Sequence, residues 1–213
     1  MRSGKTPMGA IETAMLDVAC AEVGKYLELP THAYMVAGDG RLVDAQVEME
    51  SGMSAVLGAL AGVNMISGAG MLDFLACHSI EKLVIDAEAI ASAQRLVQGI
   101  EPRGDSLATA MFAKAGLAGD FLKLKETRAL FRQEQHFPSS VIDRGLPQIN
   151  GAGILERANQ RVQELLAAYE RHPLPPDHEE EIIVFAEQEG QKSGLKAVRE
   201  ILSRVPHLES VSF

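Results

Sequence analysis

The chain has 213 residues, of which 46% are hydrophobic and 23% are charged, and its formal net charge is −9. Such a composition is typical of a globular protein with a sizeable core. The negative charge, without basic patches, argues against nucleic acid or an anionic membrane as a partner. Two cysteines are too few for a disulfide framework, and the apolar runs are too short to span a membrane. We therefore expect a cytoplasmic protein.

The first predicted helix begins at Thr6–Pro7 and ends before Pro30. Its apolar residues recur on one face, which we expect to be buried. The members of this face are Leu16, Ala19, Cys20, Val23 and Leu27. A strand is predicted next over residues 31–37, and its alternation places His32 and Tyr34 on the same face. These two side chains either line a site or are polar groups with local partners.

Polar side chains cluster at the start of the second predicted helix, which runs from about Asp44 to Ala61. The members of this cluster are Asp44, Gln46, Glu48 and Glu50. Acidic side chains near a helix N-terminus complement the helix dipole, which explains at least one of them. The helix dipole does not by itself explain four polar side chains at the N-terminus of one helix.

A short apolar run over residues 63–67, bounded by glycines, is typical of a buried parallel strand. A glycine loop follows and leads to Ser79, the predicted cap of a third helix over 79–98. The loop carries Asp73, Phe74, Cys77 and His78. Sites in α/β folds lie at the carboxyl ends of parallel strands, so this loop is a candidate site. The alternative is an ordinary strand-to-helix connection. For Cys77 we expect a buried structural thiol rather than a reactive one, and for His78 a surface or partner-facing position.

The third helix has a predicted apolar stripe, and shorter helices are predicted after it. The stripe consists of Ile80, Leu83, Val84, Ala87, Ile90 and Ala91. Further helices are expected from Asp105, over 126–135, from Leu155 to Tyr169, and after the prolines that start at Pro173. Only two strands accompany these helices, and two parallel strands do not form an independent sheet. Either strands are missing from this chain or the fold is mostly helical.

The order of motifs resembles that of the trimethylamine methyltransferase family. The segments that carry the resemblance are LPTHAYMVAGDGRLVDAQVEMES, ALAGVNMISGAGMLDFLACHSIEKLVIDAE, and FRQEQHFPSSVIDRG followed by LERANQRVQELL. The resemblance implies a TIM-type (β/α)8 barrel, of which this chain would form the helix-rich carboxyl-terminal part with extra C-terminal helices. A complete barrel takes about 250 residues. We accordingly expect a partial α/β barrel over residues 1–172 and a helical tail over 173–213.

The resemblance also implies a function. Members of the family transfer a methyl group from a methylated amine to the Co(I) corrinoid of a separate protein, so no cofactor is expected to bind this chain directly, and no metal. Members that act on trimethylamine contain pyrrolysine, whereas relatives without it use quaternary amines such as glycine betaine. All residues here are standard, including 73–79, where we expect the unusual residue. This favours a quaternary amine as the substrate.

Candidate residues for binding such a cation follow from its chemistry. Aromatic faces and carboxylates suit a quaternary amine, and no catalytic residue is assigned. The candidate walls are Tyr34 and Phe74, the candidate counter-charges are Asp44, Glu50 and Asp73, and the candidate hydrogen-bonding groups for a substrate carboxylate are His32 and Gln46. The alternative is a truncated, non-catalytic binding or assembly subunit. In either case we expect a homo-oligomer, because a partial barrel exposes apolar surface.

Overall fold

The computed structural model describes residues 4–103, 107–145, 151–170, 175–195, 198 and 200. The chain divides into two compact units, Met1–Ala168 and Tyr169–Phe213. The helices are α1 (Ile11–Tyr26), α2 (Ala45–Leu60), α3 (Ile80–Val97), α4 (Thr109–Ala115), α5 (Lys125–Glu134), α6 (Ile154–Ala167) and α7 (Pro176–Lys192). The strands are β1 (His32–Ala33), β2 (Met65–Ile66), β3 (Met71–Leu72) and β4 (Cys77–His78), and Phe121–Lys123 forms a 3₁₀ turn.

The expected helix-rich α/β class is confirmed by this element order. The barrel itself and the division at residue 172 stay predictions. The predicted helix start at Asp105 and the proline at Pro173 lie outside the described residues. No helix within the described ranges is long and apolar enough to cross a membrane.

The sheet of the first unit joins β1 and β2 in parallel, with His32 opposite Met65 and Ala33 opposite Ile66. The pairing confirms the predicted parallel strands, although both are shorter than expected. The first strand ends early because Val36 has a φ of +65°, which an extended strand does not permit and which a β-branched residue rarely adopts. The Val36 amide donates instead to the Ser54 Oγ on α2, 2.9 Å away.

The predicted glycine loop contains a hairpin that its sequence does not indicate. Strands β3 and β4 pair antiparallel, with Met71 opposite His78. Three successive residues at the tip, Asp73, Phe74 and Leu75, have positive φ values between +45° and +68°. We call residues 68–79 the hairpin. Its strands are only two residues long, so contacts with its surroundings have to hold it in place.

The predicted Ser79 cap is confirmed, and Asp44 forms a second cap that was not predicted. Asp44 Oδ1 accepts hydrogen bonds from the amides of Gln46 and Val47 at the start of α2. Ser79 Oγ accepts from the Lys82 amide at the start of α3, 3.1 Å away. Each cap satisfies amides that the first helical turn leaves without partners, and so fixes where the preceding loop ends.

The predicted burial of α1 is wrong. Leu16 and Val23 are 68% and 60% exposed, and Cys20, expected in the core, is also exposed. The buried residues are Ala14 and Ala21, because small side chains let α1 approach α2 and β1 closely. The helix also begins later than predicted, at Ile11 rather than Pro7.

The predicted apolar stripe of α3 is wrong in part. Ile80 and Leu83 are exposed, whereas the buried residues of α3 include Lys82, Ile85 and Asp86. Helix α3 packs against α2 on one side and α6 on another, so it buries more than one face. Ile85 joins Val141 and Ala158 in a small core near α6, and the two charged residues lie within the protein interior.

Candidate functional site

The loops that follow β1 and β2 lie side by side at the carboxyl ends of these parallel strands. The Gly38 amide donates to the Met71 carbonyl over 3.1 Å, and the Asp73 amide donates to the Gly40 carbonyl over 2.8 Å. Backbone pairing therefore holds the loop after β1 against the hairpin. Ligand sites in parallel α/β sheets form at this edge, which makes it the candidate site.

His32 and Tyr34 form one group at this edge. Both are exposed on the same face, as predicted, and their rings contact edge to face with centroids 5.3 Å apart. His32 Nε2 lies 2.7 Å from Ser67 Oγ, directly after β2. Ser67 was not among the predicted site residues, although its position next to a glycine at a strand end was a usable signal. The group offers an aromatic face, a hydroxyl and an imidazole to solvent.

Asp73 and Phe74 form a second group at the tip of the hairpin. Lys5 Nζ lies 2.7 Å from Asp73 Oδ1 and 4.7 Å from the centroid of the Phe74 ring. Arg41 Nε lies 3.3 Å from the same carboxylate oxygen. The hydrogen bond from Lys5 is the largest effect that holds the pKa of Asp73 below its ordinary value, so Asp73 is ionised at neutral pH. A carboxylate and an aromatic ring thus bind one ammonium between them.

Gln46 and Glu50 form a third group, on the first turns of α2. Gln46 Nε2 donates to Glu50 Oε1 over 2.9 Å, and the Asp39 amide donates to Glu50 Oε2 over 2.7 Å. Asp39 Oδ1 in turn accepts from the Gly9 amide. Both oxygens of Glu50 are therefore occupied, Oε1 by Gln46 on the same helix and Oε2 by the loop after β1. Asp44 is an exposed helix cap.

A buried network lies beneath the hairpin, and it was not predicted as a unit. Lys82 Nζ lies 2.6 Å from Asp86 Oδ2 and 2.7 Å from Ser51 Oγ, and all three side chains are fully buried. Asp86 Oδ2 also accepts from the Gly70 amide, 2.7 Å away in the hairpin. The network thus connects α2, α3 and the hairpin through one carboxylate oxygen.

Glu48 belongs to the same network. Burial, followed by the nearby charge of Asp86, raises the pKa of Glu48 from its ordinary 4.5 to about 7. Its Oε1 atom and the Oδ1 atom of Asp86 are buried with no hydrogen-bond partner in the structure. The available signals in the sequence were the polar start of α2 and the spacing of Lys82 and Asp86, four residues apart, which places them on one side of α3.

The remaining reactive side chains of the hairpin point outward. The prediction of a buried Cys77 is wrong, because both residues of β4 are exposed. His78 is exposed as expected, and its ring lies over Gly70. Over the ranges that the structure describes, no group of three His, Cys, Asp or Glu side chains is arranged to hold a metal ion.

Comparison with known proteins gives one consistent result. Residues 1–194 match the model of the trimethylamine methyltransferase (MTTB) family. The chain is 33% identical over 182 residues to trimethylamine methyltransferase MttB2 of Methanosarcina mazei, an alignment that covers 83% of this chain and 35% of that protein. It is 30% identical over 198 residues to the glycine betaine methyltransferase of Desulfitobacterium hafniense, with 91% and 41% covered.

The chain therefore spans well under half the length of these relatives. The family match nevertheless extends through both candidate loops and all the helices from α1 to α7. The chain belongs to the trimethylamine methyltransferase family.

Proposed function

We propose that this chain supplies part of a methyltransferase that moves a methyl group from a quaternary amine, such as glycine betaine, to a Co(I) corrinoid protein. The observation that supports the proposal is the position of the Lys5 ammonium. It lies 2.7 Å from a carboxylate and 4.7 Å from the centre of an aromatic ring at the candidate edge. A substrate ammonium needs the same two neighbours, so Asp73 and Phe74 are its proposed binding groups.

The chemistry of a quaternary amine explains why this chain would need no acid at the site. The positive charge already activates the C–N bond, so the leaving nitrogen requires no proton. A corrinoid on the partner protein would supply the nucleophile. The task of this chain is then to hold the cation in line for attack and to exclude water.

The binding groups have distinct proposed roles. Asp73 supplies the counter-charge, and Phe74 supplies a cation–π contact of about 0.5–2 kcal/mol. A quaternary ammonium has no N–H group, so it would displace Lys5 through charge and ring contact alone. His32, with Tyr34 beside it, faces solvent at the end of β1 and is the better donor for a substrate carboxylate, since the Gln46 amide already donates to Glu50.

Binding and transfer test the proposal separately. We expect the full chain to bind glycine betaine in isothermal titration calorimetry, more weakly after Asp73→Asn and more tightly after Lys5→Met, because the latter removes the competing ammonium. Lys114→Met, at an exposed ion pair far along the chain, is the matched control and should change nothing. Transfer is followed by the absorption spectrum of a Co(I) corrinoid protein. No spectral change across a panel of methylated amines, together with no binding, would refute the proposal.

A non-catalytic assembly subunit is the second candidate, and two surfaces favour it. Apolar residues of α1, among them Leu16, Val23 and Tyr26, are 60–87% exposed. An open apolar groove of about 270 Å³ lies between α2, α3 and β2, and its lining includes Ala55 and Ile66. Exposed apolar surface of this kind marks interaction sites.

The assembly candidate predicts a homo-oligomer through these surfaces. Analytical ultracentrifugation of the full chain should show a dimer or larger species, and Leu16→Glu should shift it towards monomer. Glu12→Gln, an exposed change on the same helix, is the control. A compact monomer that binds neither itself nor a corrinoid protein would count against this candidate.

A further inference from the structure

The buried network beneath the hairpin contains more negative than positive charge. Lys82 is its one cation among the residues described, and both Asp86 and Glu48 are carboxylates. If both carboxylates were ionised, the interior would hold a net negative charge, which is costly in a region of low dielectric. One added proton makes the three side chains neutral together.

The positions of the unpartnered atoms indicate where that proton lies. Asp86 uses Oδ2 for Lys82 and for the Gly70 amide, which leaves Oδ1 without a partner. Glu48 Oε1 is also buried without a partner, and the charge of Asp86 helps to raise the pKa of Glu48. Two buried carboxylate oxygens without donors are an unfavourable arrangement unless one carboxyl group is protonated and donates to the other.

The remaining charged groups do not change this arrangement. Asp44, on the first turn before α2, adds repulsion to Glu48, and Lys82 is the attractive group. Helix α1 also packs on α2, and its partly buried carboxyl, Asp17, has its pKa raised by burial alone. The hairpin contributes the Gly70 amide, which carries no formal charge. Glu48 and Asp86 are accordingly the coupled carboxyl pair.

We propose that Glu48 keeps its proton in the folded chain up to near-neutral pH and donates its hydrogen to Asp86 Oδ1, so that Glu48, Asp86 and Lys82 act as positioning residues for the hairpin. Asp86 holds the hairpin through the Gly70 amide, and Lys82 and Glu48 hold Asp86. The hairpin presents Asp73 and Phe74, so the consequence for amine binding rests on the function proposed above. The positioning itself does not depend on that function.

Hydrogen exchange of the hairpin amides tests the positioning role without substrate or partner. In the folded chain Glu48 keeps its proton up to about pH 7, whereas an opened hairpin exposes it and lets it ionise nearer its ordinary value. Protection of the Gly70 amide, corrected for intrinsic exchange, should therefore fall by up to about three-hundredfold between about pH 4.5 and about pH 7 and then level off.

Two variants separate this role from general stability. Glu48→Gln retains a donor for Asp86 Oδ1. In this variant the protection of the Gly70 amide should therefore be high and independent of pH. Asp17→Asn alters the other partly buried carboxyl with an unpartnered oxygen and should keep the pH dependence of the unaltered chain. A flat profile in the unaltered chain, or an unchanged slope in Glu48→Gln, would overturn the proposal. An equal change in the amides of α6 would also overturn it, because the effect would then not belong to the hairpin.

A second measurement connects the network to the proposed substrate site. Glycine betaine affinity should fall between about pH 6 and about pH 8 in the unaltered chain, and should stay level in Glu48→Gln. Absence of amine binding in both proteins would refute the proposed function and leave the exchange result standing. An affinity for glycine betaine that falls equally with pH in the unaltered chain and in Glu48→Gln would overturn the proposed effect of Glu48 on the site.

Discussion

Two ion-paired aspartates hold the hairpin, one at its tip and one at its base. Asp73 accepts from Lys5 and Arg41 at a surface where the Arg41 side chain is 75% exposed. Asp86 accepts from Lys82 and from the Gly70 amide, and the side chains of Asp86 and Lys82 are both fully buried. The distances from carboxylate to lysine, 2.7 and 2.6 Å, are nearly equal.

Access to water, rather than geometry, separates the two pairs. Water and salt screen the outer pair, so Asp73 can exchange one cation for another at little cost. The inner pair has no solvent to replace a lost partner, so each of its members depends on the others. The tip of the hairpin is therefore suited to binding a cation, and the base is suited to holding the backbone.

The largest expected effect comes from the removal of the buried cation. Lys82→Met removes the cation that pairs with the buried Asp86 side chain, and we expect it to lower the free energy of unfolding by about 3–5 kcal/mol. Urea denaturation measures this loss. Lys5→Met makes the same change at the outer pair and should leave the urea midpoint nearly unaltered. Equal losses in the two variants would remove the distinction between tip and base.

The next effect depends on pH. Glu48 has a raised pKa of about 7 in the folded chain and an ordinary value of 4.5, so the unfolded chain loses the proton first. Stability therefore falls as pH rises from about 4.5 to about 7 and is level above that. Glu48→Gln should remove this fall and raise the free energy of unfolding at about pH 8 by up to about 3 kcal/mol. The comparison of urea midpoints at about pH 5 and about pH 8 in both proteins tests it. A stability loss at the higher pH in Glu48→Gln as large as that in the unaltered chain would contradict it.

A smaller effect is expected at Gly70, where the base of the hairpin meets Asp86. Gly70 has a φ of +81°, and an added Cβ would clash with His78 Nε2. Gly70→Ala should lower the free energy of unfolding by about 1–3 kcal/mol. Gly99 has a similar positive φ, and a Cβ added there would meet no atom within 4 Å, so Gly99→Ala reports the backbone strain alone. Thermal unfolding of Gly70→Ala with and without His78→Ala separates the clash with the His78 ring from the backbone strain. Equal stability losses in Gly70→Ala and Gly99→Ala would show that no clash exists.

The smallest effect on stability is expected at the tip. The pKa of Asp73 is lowered, chiefly by the hydrogen bond from Lys5, so its stabilising contribution is present at neutral pH and is lost as pH falls below about 4. Asp73→Asn should leave the melting temperature near neutral pH almost unchanged and slightly reduce the acid sensitivity of the chain. Added salt should produce the same small change in the unaltered chain. A large decrease in the melting temperature of Asp73→Asn at neutral pH would show that Asp73, like Asp86, is needed to hold the structure.

Sequence patterns predicted the local features of the candidate site correctly. Ser79 caps its helix as predicted, because a short polar side chain before an apolar run satisfies free amides. The alternation of residues 31–37 placed His32 and Tyr34 together on one face. Each of these features depends on residues within a few positions of one another, which is the range over which periodicity and capping operate.

The same patterns failed where burial depends on distant parts of the chain. Helix α1 has its larger apolar residues, such as Leu16, on an exposed face, and it packs on α2 and β1 through Ala14 and Ala21. A hydrophobic stripe shows that a face is apolar, but it does not show what covers that face. On α3, charged residues occupy the most buried positions, a placement that hydrophobic patterning does not predict.

The sequence by itself determined the family, the parallel pair of strands and the Ser79 cap, because these follow from motif order and from short-range physical rules. Only the tertiary structure showed the hairpin and the network beneath it. Lys82 and Asp86 are four residues apart, but the Gly70 amide and Ser51 are brought to them from separate elements. Whether a charge is exposed or buried depends on that assembly. It decides that Asp73, at the tip of the hairpin, can exchange its cation, and that Asp86, on α3, holds the hairpin backbone.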